Sequence, residues 1–306
     1  MMKRAFTLKP AMLAVVAALG VGYSSALLAD GFQSLYIEQH YPQYFLDPVP
    51  YDIVEVKQSG SISDGIYGLF LNREGSIQTL NNRSYISATN YSIVNQGAIG
   101  ELNNYDIIDT RQGSDNSLEP VYVIHNAETG TITRLNNYRI INAMDTNQNG
   151  ESYAIKNEGT IGTILNEGGI YGNIMSRSDL TIIGSSVDNP NIFIGGPFDN
   201  AGILSGSLFN GPESIGKITI TEGNLNFASG RQHLNSNVIA GAVNNQHAQL
   251  YLSNPIAILG NYNQSRDASL NIYVASGAQT NGNLAADSGY GQLLVNGAAN
   301  VAAGSA

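Results

Sequence analysis

The chain contains no cysteine. That excludes a disulfide framework, thiol catalysis and most structural zinc, so stability has to come from burial and hydrogen bonding. Charge is sparse as well: 12% of the residues are charged, and 24 acidic side chains outnumber 14 basic ones for a formal net charge of −10. Nucleic acid is therefore not expected as a partner, because phosphates must be neutralised by clustered Lys and Arg. Electrostatic adhesion to anionic lipid is disfavoured by the same balance. After the first thirty residues no apolar run approaches the ~20 residues that a membrane-spanning helix needs. What the sequence does have is 34 glycines and abundant asparagine, a composition of many strands and turns with few exposed helices.

The N-terminus reads as an export leader. Lys3, Arg4 and Lys9 precede the apolar run AMLAVVAALGVG from Ala11 to Gly22, and the small-residue exit YSSALLAD follows. A basic start, a short apolar centre and small residues at the exit make a Sec-type signal peptide spanning 1–29, with cleavage after Ala26 or Ala29. Removing it leaves 11 basic against 24 acidic side chains, a net charge of about −13.

One phrase recurs through the first half. YSIVNQGAIGELNN (91–104) is echoed by GLFLNREGSIQTLNN (68–82), YVIHNAETGTITRLNN (122–137) and YAIKNEGTIGTILN (153–166), with Gly75, Gly97, Gly130 and Gly159 in register at spacings of 22, 33 and 29. Apolar positions alternate with polar ones in each copy, which is the period of a strand. N-x-G and L-N-N then punctuate the strands with residues that tolerate the left-handed backbone of tight turns. Short strands, turns at fixed offsets and a period near twenty describe an all-β solenoid of stacked coils. In such a stack Asn72, Asn95, Asn126 and Asn157 occupy equivalent positions and are expected to form a ladder of side-chain amides. The recurring Tyr91, Tyr122 and Tyr153 are expected to pack along the coil. Residues 109–120 and 145–151 read as loops extruded from regular rungs.

Beyond residue 180 the phrase changes, but alternation persists in Ile218, Ile220, Leu225 and Phe227. Residues 30–60, richer in Pro and aromatics, read as a cap over the first open rung. The expected organisation is thus 1–29 signal peptide, 30–60 cap, 61–179 repeats with N-x-G-x-I, and 180–306 further coils.

Catalytic signals are weak. There is no G-x-S-x-G elbow, no G-x-G-x-x-G between a strand and a helix, and no Lys of a phosphate loop, so no catalytic or cofactor-binding residue is assigned. His40, His125, His233 and His247 are scattered without metal-ligand spacing, and His125 is expected to be a solvated outward side chain. Asp145, Asn147, Asn149 and Gly150 match the opening of a calcium loop, but Lys156 stands where its bidentate Glu belongs, so no metal is assigned. Asp106, Asp109, Asp115 and Glu119 are candidate paired carboxylates for a polysaccharide-acting enzyme, the alternative functional class.

Two stretches carry a family resemblance. The I-x-N-x-G-x-I-x-x-L-N-N phrases at 93–104 and 124–137, and the tail PIAILGNYNQSRDASLNIYVASG with YGQLLVNGAANVAAGSA from Tyr290, resemble the passenger regions of type V autotransporters of Gram-negative bacteria. The resemblance implies a right-handed parallel β-helix exported to the cell surface or outer membrane, an autochaperone-like segment within 180–306, and a role in display and adhesion or aggregation. It implies Sec and the outer-membrane barrel-assembly machinery as export partners, and a surface ligand on a host or neighbouring cell. In that family further coils and a membrane barrel follow the tail, and no such sequence follows Ala306. A frame that stopped there would leave a truncated fragment in the periplasm.

Overall fold

The computed structural model describes residues 33–110, 120–143, 152–186, 201–206, 214–281 and 287–306, together with the backbone of 21–23. The rest of the expected leader and of the insertions at 111–119 and 144–151 lies outside the described residues. Every regular element described is a strand.

The strands wind as a parallel β-helix with three faces. The first face stacks Gln43–Leu46, Tyr67–Leu71, Tyr91–Asn95, Val121–Asn126, Ser152–Asn157, Asn173–Ser176 and Gly216–Ile220, each parallel to the next. The second stacks Gln33–Ile37, Pro50–Val56, Ser76–Asn82, Ala98–Asn104, Thr131–Asn137, Thr160–Asn166 and Leu180–Ile183. The third, shorter face runs from His40–Tyr41 through Ser61–Ile62, Tyr85–Ala88, Ile107–Thr110, Ile140–Asn142 and Gly169–Tyr171 to Gly202–Ser205. Each coil thus lays one strand on each face, about 4.8 Å above the previous one.

In-register stacking puts like on like. Ile93, Ile124, Ile155, Ile174 and Ile218 form one interior column, and Leu80, Leu102, Leu135, Ile164 and Ile182 another, all buried. Ile62, Ile86, Ile108, Ile141, Ile170 and Leu204 line the third face. Each buried aliphatic side chain contributes roughly 1.5–3 kcal/mol relative to exposure, so the columns supply the main driving force in a chain without cross-links.

Within the segment expected to cap the first rung, the strands are themselves coiled. Gln33–Ile37, Gln43–Leu46 and Pro50–Val56 pair in parallel with later coils, and Leu46, Tyr51, Val54 and Val56 belong to the continuous core. The backbone of Val21–Tyr23, inside the expected leader, pairs with Gln43–Phe45. Asp109 and Thr110 also differ from expectation: they close the strand Ile107–Thr110 rather than opening a loop.

After residue 220 the corners soften. The strand Leu225–Asn245 is 21 residues long and makes a complete turn, resting on Leu180–Ile183, then on Gly202–Ser205, then on Gly216–Thr219. Gly230, with φ of 79°, provides one bend that L side chains rarely adopt. Ala248–Leu252, Pro255–Gln264, Ser269–Ile272, Gln292–Val295 and Ala299–Val301 continue the winding. An antiparallel hairpin, Val274–Gln279 with Ser288–Tyr290, interrupts the last coil.

His233 lies buried on the third face and shares a 2.8 Å hydrogen bond between its Nε2 and Ser253 Oγ. Burial lowers its imidazole from the ordinary 6.5 to about 4. Between those values the unfolded chain takes up a proton that the folded chain refuses, so stability falls as pH drops through 6.5 and levels off near 4. The loss is on the order of 3 kcal/mol. Urea midpoints of the wild type should decline across that window, and those of His233→Gln should decline less. Equal slopes would remove His233 as the cause.

Candidate functional site

The side chains that the sequence singles out meet at the corner between the first and second faces. Asn95 Nδ2 donates to Asn126 Oδ1 at 2.8 Å, Asn126 Nδ2 donates to Asn157 Oδ1 at 2.7 Å, and Asn157 Nδ2 donates to Ser176 Oγ at 2.9 Å. All three amides are buried. Each also ties the turn: Asn126 Nδ2 reaches the carbonyls of Gly130 and Thr160, both at 3.1 Å, and Asn95 Oδ1 accepts from Gly97 N at 3.1 Å. The ladder expected there exists, with one correction. Asn72 is not a member, because Asn95 pairs in register with Leu71. Asn72 is exposed, and its Oδ1 accepts from the Arg73 amide at 2.7 Å. Four residues before Gly130 stands Asn126, a member of the ladder, but four before Gly75 stands Leu71, so an aliphatic side chain occupies the ladder's position on that coil.

Gly75, Gly97, Gly130 and Gly159 do line up, but not for the reason their turn position suggests. None has a left-handed φ; among the described residues those values belong to Gly172, Gly223, Gly230, Gly260, Gly289, Gly304 and Asp64. The repeat glycines are needed for close approach. A Cβ on Gly97 would overlap the carbonyl oxygen of Gly75, and one on Gly159 would overlap that of Gly130. Those oxygens are already engaged, accepting from Ala98 N at 3.1 Å and Thr160 N at 3.0 Å.

Two further ladders escape the sequence reading, which treats L-N-N as turn punctuation. The last Asn of each phrase continues the second face: Asn82, Asn104 and Asn137, each the second of an Asn pair, and Asn166, which follows Leu165, are fully buried and donate in sequence at 2.9, 2.9 and 3.0 Å. The first Asn of each pair donates the other way along the axis, Asn136 to Asn103 at 2.7 Å and Asn103 to Asn81 at 3.0 Å. The signal was present as an invariant spacing of the doublet from the preceding glycine.

An aromatic ladder, half-buried except at the buried Tyr122, runs along the first face. Tyr67, Tyr91, Tyr122 and Tyr153 stack with centroid separations of 5.3, 5.2 and 5.5 Å. Beside it the Lys156 ammonium lies 4.8 Å from the Tyr122 ring. His125 departs from expectation here. Its side chain is 19% exposed, stacks on Tyr122 at 5.5 Å and shares a 2.9 Å hydrogen bond between Nε2 and the Glu158 carboxylate. Burial acts to raise the Glu158 carboxyl, but hydrogen bonds from His125 and Lys156 outweigh it and hold the group below its ordinary value. A second stacked pair, Tyr105 and Tyr138 at 4.9 Å, stands on the corner between the second and third faces, with the Arg83 guanidinium 4.6 Å from the Tyr105 ring.

Of the candidate carboxylates, Asp106 and Asp109 lie among the described residues, and each is engaged by another side chain. Asp106 pairs with Arg139 at 3.2 Å, and Asp109 accepts the Tyr85 hydroxyl at 2.8 Å. Asp115, Glu119 and the calcium-loop-like 145–150 lie outside the described residues. Among the described residues no group of three or more His, Asp or Glu side chains is placed to hold a metal ion.

What this arrangement does chemically is hold shape and repeat an exterior: amides and glycines lock the corners while tyrosines recur outside. Comparison of the chain with protein-family models, with curated proteins and with solved structures found no match.

Proposed function

We propose that this chain is the passenger portion of an exported surface protein of the autotransporter type, a β-helical rod that displays its side for adhesion or aggregation. The observation that supports this most is the repeating exterior. The half-buried Tyr67, Tyr91 and Tyr153, with the buried Tyr122 stacked among them, repeat the same chemistry on successive coils, and the exposed Tyr105 with the half-buried Tyr138 adds a second aromatic stripe. Tyr is favoured at contact surfaces because one rigid side chain offers a large apolar area and a hydroxyl. Many weak identical contacts along a rod gain strength through multivalency without any deep pocket. On this reading residues 1–29 direct Sec export, the outer-membrane barrel-assembly machinery completes it in a full-length protein, and the rod stands on the outer membrane or cell surface.

The reading is tested on beads. Beads coated with the protein should adhere to one another or to epithelial or bacterial cells, and Tyr105→Ser with Tyr138→Ser should cut adhesion by about tenfold while circular dichroism stays that of strand. Coated beads that behave like bare ones on every surface would sink it. Export is separable: residues 1–29 fused to a periplasm-dependent reporter should activate it, and a silent fusion would remove the leader.

A further inference from the structure

We propose that Ser61 and His40, with Asp64 positioning the imidazole, form a catalytic site on the third face that hydrolyses short-chain carboxylic esters. Stacking makes the first contact. His40 and Ser61 are register partners on successive coils, and His40 Nδ1 and Ser61 Oγ share a 3.0 Å hydrogen bond. The other ring nitrogen, Nε2, lies 3.6 Å from Asp64 Oδ2, and Ser63 Oγ donates to that same oxygen at 3.1 Å. A hydroxyl in hydrogen-bond reach of a base, with the base faced by a third group that sets its tautomer, is the arrangement that activates a nucleophile. It is recognised by geometry, whatever the order of its members along the chain.

At Asp64 the pattern of the repeat is broken. On the following coils the residue two places after the core isoleucine is uncharged and fully buried: Ala88 after Ile86, Thr110 after Ile108, Ala143 after Ile141. After Ile62 that place holds Asp64, which strand alternation would send into the core. It escapes because its backbone is left-handed, with φ of 80°, the one positive φ on a non-glycine residue among those described. Its carboxylate is thereby 56% exposed, beside a His40 side chain that is 51% exposed. A residue other than glycine stays in that region only where its surroundings over-determine it, and such residues cluster at active sites. Here the hold is visible. Ser61 N donates to Gln39 O at 3.2 Å and Ser63 N to Tyr41 O at 2.8 Å, while Ile62 between them is fully buried.

With the Nε2 proton turned toward the carboxylate, Nδ1 carries the lone pair that accepts from Ser61. Ser61 Oγ attacks the ester carbonyl carbon as its proton passes to Nδ1, and the Asp64 charge stabilises the imidazolium that forms. The tetrahedral oxyanion then collapses, the bond to the alcohol oxygen breaks, and Nδ1 returns the proton to that oxygen. Water repeats the sequence on the acylated serine: His40 takes its proton, the acyl–Oγ bond breaks, and Ser61 recovers the proton as the acid leaves. The sum is ester plus water to acid plus alcohol. Substrate size follows from the setting. His40 and Asp64 stand half in solvent on the side of the rod, so an ester reaches them from outside, and the exposure that admits it gives a long acyl chain little cover. Acetyl esters fit best. Solvent also screens the Asp64 charge, which sets the acceleration at the low end of general-base catalysis, about 10²-fold.

Hydrolysis of 4-nitrophenyl acetate by the purified protein tests this. The wild type should turn it over about 10²-fold faster than Ser61→Ala or His40→Ala, whereas Ser59→Ala, at an exposed neighbour outside the cluster, should match the wild type. Asp64→Asn keeps a residue type that tolerates left-handed backbone and removes only the charge. It should lower kcat about tenfold and leave KM unchanged, a split that a loosened fold would not give. A covalent probe needs no variant: diisopropyl fluorophosphate should label the wild type, and peptide mass spectrometry should place the adduct on Ser61. Hydrolysis by the wild type no faster than by Ser61→Ala, an adduct on another serine, or no adduct at all would each overturn the proposal.

Discussion

Replacing Asn126 with alanine should destabilise the protein by about 3–5 kcal/mol, one of the two largest effects expected of a single substitution here. The side chain is buried and sits in the middle of its ladder, accepting from Asn95 and donating to Asn157, Gly130 and Thr160. Its removal leaves the Asn157 carbonyl oxygen without its donor and takes one partner from Asn95, in a place water does not reach, and it adds a small cavity. A buried polar group left unsatisfied costs about 1–3 kcal/mol, so two damaged neighbours account for most of the figure. Asn126→Asp sharpens the test. An ionised carboxylate cannot donate, so Asp at this position faces the oxygens of Asn157, Gly130 and Thr160 with no proton between them. Burial and those oxygens raise its pKa, and protonation restores a donor. The aspartate variant should therefore be less handicapped relative to wild type at pH 4 than at pH 7. Chemical denaturation at both pH values measures this, and a penalty independent of pH would show that the ladder does not depend on donation from residue 126.

Replacing Gly97 with alanine should cost at least ~3 kcal/mol, for a steric reason that helix and strand propensities do not capture. The added methyl would occupy the space of the Gly75 carbonyl oxygen and press on that of Asn72. Neither can retreat cheaply, because Gly75 O accepts from Ala98 N and Asn72 O from Gly75 N. The rungs would have to separate, and in a stack where each coil touches only its neighbours the damage should divide the unfolding into two transitions. Gly277→Ala is the matched control: nothing lies within 4 Å of the new methyl, and its effect should stay within about 0.5 kcal/mol. Thermal unfolding of both variants distinguishes close approach from a general dislike of alanine. A Gly97→Ala protein as stable as Gly277→Ala would contradict the packing described at the corner.

Much of the fold was legible because stacking in register repeats chemistry. Ile99, Ile132 and Ile161 share one interior column, and Tyr91, Tyr122 and Tyr153 share another register position, so the period of the text is the period of the coil. Asn72 was misplaced for a related reason. Turns of unequal length separate asparagine from glycine in different copies, and an alignment that forces both together displaces one of them. The L-N-N ladders were hidden because asparagine is common in turns and a sequence does not show whether an amide points at solvent or at its own copy. His125 looked outward, as it is, but its cover comes from Tyr122 and Glu158, neighbours that only stacking supplies. The coiled nature of 33–62 was obscured by aromatics and prolines, which disguise a strand's alternation without preventing it from pairing.

The parallel in-register stack is tested most directly by cysteine pairs, which the absence of native cysteine makes unambiguous. Ala98, Thr131 and Thr160 are exposed and occupy one column on successive coils. Neighbouring rungs lie about 4.8 Å apart, inside the 4.4–6.8 Å Cα separation that a disulfide spans, whereas alternate rungs lie about 9.6 Å apart, beyond it. Under mild oxidation Ala98→Cys with Thr131→Cys, and Thr131→Cys with Thr160→Cys, should each form an intramolecular disulfide nearly completely, while Ala98→Cys with Thr160→Cys should form none. Efficient bridging of the 98 and 160 pair, or failure of both neighbouring pairs, would contradict the stacked coil.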